Sequence, residues 1–124
     1  MSKLVLTIDD TPEIRQLIRM TLEFEDFDVI EASSGQEGLE VAKLRKPDLV
    51  VLDVMMPGAL DGLAVSKAMG EDPELCSIPV IMVSALELAH QVSAGYAAGA
   101  RAYLGKPFSP TELIDLVHAL TTHD

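Results

Sequence analysis

Residues 49–58 read LVVLDVMMPG, and the first five of them decide the fold. Leu49, Val50, Val51 and Leu52 form an unbroken apolar run of β-rich residues, as expected of a parallel strand covered on both faces. Asp53 follows at once. Burying a carboxylate's charge is costly, so the end of this strand needs a partner that wants negative charge there.

Working outward, the same kind of run recurs as VIMV at residues 80–83. Five strands are expected: Lys3–Ile8, Phe27–Glu31, Asp48–Asp53, Pro79–Ser84 and Arg101–Leu104. Helical patterns separate them. Ile14, Leu17, Ile18, Thr21 and Leu22 recur at the spacing of one helix face, as do Leu113, Leu116, Val117 and Leu120. Thr11-Pro12 reads as an N-cap followed by proline at the first helical position. Ser34 with Glu37, and Ser109 with Glu112, have the capping-box spacing. Shorter patterns suggest helices over Asp61–Gly70 and Leu86–Ala98. Regular β/α alternation without linker, repeat or low-complexity segment predicts an open, doubly wound α/β fold over residues 1–124 as one domain.

Composition narrows the function classes. The 124 residues are 48% hydrophobic but only 4% aromatic, so the expected core is aliphatic, with no Trp to stack on a cofactor. Cys76 is the single cysteine, which rules out an internal disulfide and suits a reducing cytoplasm. The apolar runs are too short to span a bilayer, and the N-terminus reaches Asp9-Asp10 too soon for a signal peptide. A net charge of −11 opposes direct binding to nucleic acid or anionic membranes.

Ligands of doubly wound sheets gather at the carboxyl ends of the strands. There this chain places Asp9-Asp10 after strand one, Asp53 after strand three, Ser84 at the end of strand four and Lys106-Pro107 after strand five. If strands one and three are neighbours, about 4.8 Å apart, three carboxylates converge and repel one another unless a cation sits among them. Oxygen ligands with room for water suit Mg2+. Taken singly, each residue has a plainer reading: Asp9 and Asp10 as favourable charges at a helix start, Ser84 as a cap, Lys106 as a solvated charge. Their conjunction on successive strand ends points to a site.

Five motifs in this order, "DD" at Asp9-Asp10, "LDVMMPG", "DG" at Asp61-Gly62, "SA" at Ser84-Ala85 and "GARAYLGKPF" at Gly99–Phe108, resemble the receiver domains of two-component response regulators over nearly the whole chain. The resemblance implies a flavodoxin-like (βα)5 domain with a five-stranded parallel sheet in the order 2-1-3-4-5. It makes Asp53 the phosphoacceptor for a phosphoryl group from a histidine kinase or a histidine phosphotransfer protein. Asp10 and Asp53 would ligate Mg2+ directly, with Asp9 acting through water and the Met55 carbonyl as a further ligand. Ser84 would bond a phosphoryl oxygen, and Lys106 would pair with the carboxylates and then with the phosphoryl group. Tyr103 matches the aromatic that turns inward when Ser84 moves, and Lys106-Pro107 the position of a cis peptide bond. A downstream protein would bind the face formed by the helix from about Leu86, strand five and the final helix. Met55 and Leu86, at the two positions that influence the hydrolytic water, imply slow self-dephosphorylation.

The chain departs from the family at "PGALDG", residues 57–62, which carries one extra residue between the acceptor and "DG", and in Thr7 and Gly105. His90, His118 and His123 are not spaced as ligands and are expected in solvent. Two rivals belong to other classes. A haloacid dehalogenase-like phosphohydrolase sets its two aspartates two apart after strand one, whereas these are adjacent. A flavodoxin-like FMN binder needs a Ser/Thr/Gly-rich phosphate loop where this chain has two negative charges. The expected role is a signalling module rather than an enzyme, either stand-alone or one domain of a larger regulator.

Overall fold

Every residue of Leu49–Asp53 is buried in the computed structural model of the protein, which describes residues 2–56, 60–85 and 99–121. This strand, β3, lies at the centre of a five-stranded sheet. The others are β1 (Leu4–Ile8), β2 (Asp28–Ala32), β4 (Val80–Ala85) and β5 (Ala102–Lys106). All pairings are parallel and the order is β2-β1-β3-β4-β5. The helices described are α1 (Pro12–Phe24), α2 (Gly35–Arg45), α3 (Gly62–Glu71) and α4 (Pro110–Thr121). The helix expected over Leu86–Ala98, Leu86 itself and residues 57–59 of the extended "PGALDG" loop lie outside the described residues.

Because side chains alternate along a strand, the sheet feeds two cores. Leu6, Ile8, Val50, Leu52, Val80 and Met82 point to one face, where Ala42 of α2 and Val65 and Met69 of α3 close over them. Val5, Leu49, Val51, Ile81 and Val83 point to the other, under Ile18 and Leu22 of α1 and Leu113 and Val117 of α4. The helix periodicities marked these buried contacts correctly for α4 and for Ile18 and Leu22 of α1, but Leu17, expected on the same face of α1, is exposed. None of the described helices is long and apolar enough to cross a membrane.

Strand ends differ from the expected ones by a residue or two, and one difference concerns the site. Strand β5 does not stop at Leu104: Gly105 and Lys106 continue the ladder opposite Ser84 and Ala85. Glycine interrupts the apolar run and so hides two further pairings. The helix starts fall where expected, with one difference in detail. Thr11 is the N-cap of α1, followed by proline, but its side chain makes no capping bond. Its own backbone N–H instead donates to Asp9 Oδ1 at 2.9 Å. Ser34 and Ser109 do cap, accepting from the Glu37 and Glu112 N–H groups at 3.1 and 3.0 Å. The Glu112 carboxylate returns a bond to the Ser109 N–H at 3.2 Å, closing a capping box, whereas that of Glu37 reaches the N–H of Ser33.

Candidate functional site

The register Ile8↔Leu52 between β1 and β3 carries the chain out of both strands side by side, which brings Asp9 and Asp10 next to Asp53. Carboxylate oxygens of all three lie within 4.8 Å of one another. Asp9 and Asp53 are buried, and Asp10 is exposed at the rim. From β5, Lys106 reaches across β4: its Nζ lies 3.4 Å from Asp53 Oδ1 and 3.5 Å from Asp9 Oδ2. These are ion-pair separations, and one ammonium serves two carboxylates. The peptide bond from Lys106 to Pro107 is cis.

Asp53 is 4% exposed, and its pKa is pushed up from the ordinary 3.8 to about 6. Burial is the largest cause and the neighbouring Asp9 charge the second; Lys106 and the Met55 N–H, 3.3 Å from Oδ1, pull the other way without cancelling them. The group is therefore mostly ionised at neutral pH, but at a cost. An all-oxygen donor set with uncompensated negative charge fits a hard divalent cation.

The remaining candidates are placed as follows. Ser84 is buried on β4, one residue past the partner of Asp53, Val83. Tyr103 stands beside Met82 on β5, half-buried against the core, and its hydroxyl is buried with no hydrogen-bond partner among the described residues. Met55 has an exposed side chain at the mouth of the site. Of the three histidines only His118 is described; it is half-exposed, 3.7 Å from Glu25 and tilted against Phe27 with ring centroids 5.1 Å apart.

Two structural roles escaped the sequence reading, that of Gly62 within the "DG" motif and that of Arg15. Gly62 opens α3 directly behind the acid strand, its N–H bonded to the Val54 carbonyl at 3.0 Å. A Cβ there would lie 2.2 Å from the Asp53 carbonyl oxygen and 2.6 Å from Val54 Cα. Asp61 caps the same helix, accepting from the Ala64 N–H at 2.9 Å. The "DG" pair is thus a close-packing device that seats α3 against the acceptor strand. The other role is that of Arg15, whose Nη1 donates to the Asp9 carbonyl at 2.7 Å. Nothing in the spacing of Arg15 signals this.

A parallel 2-1-3-4-5 sheet with an acid triad and a lysine at its carboxyl edge defines a phosphoacceptor-type signalling domain. The response regulator receiver domain family matches residues 5–118, and the chain belongs to that family. Aspartate phosphorylation and Mg2+ at the acidic pocket are typical of it. PhoP, the alkaline phosphatase synthesis transcriptional regulatory protein of Bacillus subtilis, is 40% identical over 120 residues, covering 97% of this chain and 49% of its own. PhoB, the phosphate regulon transcriptional regulatory protein of Pseudomonas aeruginosa, is 36% identical over 118 residues, 95% of this chain and 51% of its own. The chain spans about half the length of these curated relatives. Among solved structures, the Vibrio cholerae chemotaxis protein CheY4 superimposes with a TM-score of 0.90 at 29% identity, over 97% of this chain and 99% of that one. The receiver domain of Francisella response regulator 1452 gives 0.88 at 35% identity, over 97% of each chain.

Proposed function

We propose that residues 1–124 act as one receiver unit in which Asp53 accepts a phosphoryl group from the phosphohistidine of a histidine kinase or a histidine phosphotransfer protein. The observation that carries this reading is the buried Asp53 carboxylate, within 4.8 Å of two further acids and paired to Lys106. An Asp53 oxygen attacks phosphorus in line, the N–P bond breaks, and its electron pair returns to the donor imidazole. Phosphoryl transfer asks for little besides positioning and charge neutralisation.

Asp10 and Asp53 would hold Mg2+ directly, with Asp9 through water and the Met55 carbonyl as a further ligand. When bound, the cation spreads positive charge over the transferring phosphoryl oxygens. Lys106 supplies the second positive charge and follows the new phosphoryl group once it leaves the carboxylates. The Ser84 hydroxyl donates to a phosphoryl oxygen, and Tyr103 moves into the space released, changing the surface at strand β5 and helix α4. A downstream protein reads that surface, in a cytoplasmic setting. The adjacent Asp9-Asp10 pair, where a haloacid dehalogenase-like phosphohydrolase sets its aspartates two residues apart, favours signalling over phosphohydrolase chemistry.

The test is labelling with acetyl phosphate and Mg2+, read by intact mass. One phosphoryl group per chain is expected, and none that is stable in Asp53→Asn. Equal labelling of the variant would refute the assignment.

A further inference from the structure

Both backbone polar groups of Asp9 are tied to strand β2. Its N–H donates to the Ala32 carbonyl at 3.1 Å. Its carbonyl accepts from Arg15 Nη1 at 2.7 Å, while Arg15 Nε donates to Glu31 Oε1 at 2.9 Å. Glu31 is held in turn by Arg19 Nη1 at 2.7 Å. The Arg15 side chain is only 16% exposed, against 41% for Arg19, so its charge-assisted bonds are the better shielded from water.

The Asp9 carbonyl and the Asp10 N–H belong to one rigid peptide plane. Holding that carbonyl sets the direction in which the chain leaves the plane at Asp10, the exposed member of the acid triad. Asp9 has its own side-chain anchors, the Thr11 N–H and Lys106. Asp10 is thus set by the two peptides that flank it, one held by Arg15 at the Asp9 carbonyl and the other by Asp9 Oδ1 at the Thr11 N–H.

We propose that Arg15, braced by Glu31, is a positioning residue that holds the Asp9–Asp10 peptide so that the acid triad is preorganised for a divalent cation. The inference rests on the reading of that triad as a Mg2+ site. The arginine acts through the peptide and does not touch the cation. Its planar fork matters, because one guanidinium serves Glu31 and the Asp9 carbonyl at once, which a lysine's single ammonium on a flexible stem does not reproduce.

Charge and position predict opposite signs, which makes the idea decidable. Removing a cation near three carboxylates would by itself tighten Mg2+ binding, whereas removing a brace weakens it. Outer-sphere partners of metal ligands typically matter by about 10–100-fold in affinity, and one peptide clamp belongs at the lower end.

The experiment is Mg2+ titration of the full chain, followed by calorimetry and by the amide NMR shifts of Asp9, Asp10 and Asp53. The charge-balanced pair Arg15→Met with Glu31→Gln should bind about tenfold more weakly than the wild type, and Arg15→Lys, which keeps the charge, at least about threefold more weakly. Arg19→Met removes a neighbouring ion pair from the same glutamate without touching Asp9; it should lose some stability yet stay within about twofold in affinity. Binding by both Arg15 variants within about twofold of the wild type overturns the proposal, as does an equal loss in Arg19→Met, which would mean general loosening. A wild type that binds no Mg2+ overturns the cation reading itself, an outcome separable from failure of the brace.

Discussion

In metal-free buffer Asp53→Asn should make the domain more stable, although it removes the residue proposed to do the chemistry. The Asp53 pKa stands at about 6 instead of 3.8, so ionising the carboxyl costs the folded state. At 1.36 kcal/mol per pH unit, the shift corresponds to at most about 3 kcal/mol. The strand end opens toward solvent, and screening there reduces the figure to about 1–2 kcal/mol. For a domain of this size that is a rise of roughly 4–8 °C in Tm. The sign follows from linkage. A carboxyl whose folded pKa is raised contributes stability below its unfolded pKa and loses it as pH climbs through the folded one. The advantage of Asp53→Asn should thus be largest at pH 8, about half as large at pH 5, and absent below about pH 3.8. Urea denaturation of both proteins at pH 8 and pH 5, with chelator present, measures it. A variant no more stable than the wild type at pH 8, or one whose advantage does not shrink at pH 5, would refute the reasoning.

Other consequences can be checked alongside. Lys106→Met removes a charge that lowers the Asp53 pKa, so carboxyl-carbon NMR should find Asp53 titrating above about 6, with labelling by acetyl phosphate reduced and the circular dichroism native. Saturating Mg2+ should raise the Tm of the wild type more than that of Asp53→Asn, and chelation should stop labelling without unfolding the chain; a cooperative loss of helix on chelation would make the metal structural. Gly62→Ala forces a methyl against backbone at 2.2 Å, so urea denaturation should show a loss of about 1–3 kcal/mol, and the displaced Asp53 should label more slowly. Tyr103→Ala should leave labelling of Asp53 largely intact while shrinking the difference in partner affinity between the phosphorylated and unphosphorylated forms.

What the sequence revealed of this protein follows from what its local pattern can encode. The runs LVVL and VIMV placed two central strands because a doubly covered strand needs uninterrupted apolar residues. Asp9, Asp10 and Asp53 were legible because they terminate such strands, and their meeting required only that strands one and three be neighbours. Gly105 and Lys106 were assigned outside strand five because glycine has no side chain to advertise a buried position. Pairing of the neighbouring strand past Val83 overrides that weak preference. Thr11 was legible as the N-cap of α1 ahead of Pro12, although its side chain makes no capping bond. Gly62 belongs to a recognisable motif, but its reason is the backbone of Asp53, from whose carbonyl oxygen a Cβ there would lie only 2.2 Å away. Arg15 could not be read at all, since its partners lie on a different strand and on a carbonyl, which every residue has.

The lysine that neutralises the acids lies 97 residues beyond Asp9 along the chain. A ribosome delivers residues in order, so the aspartates of β1 and β3 emerge together with their mutual repulsion long before their counter-charge does. Until β5 adds to the sheet edge, the carboxyl end of the half-built sheet is self-repelling, and a free divalent cation is the natural substitute for the missing ammonium.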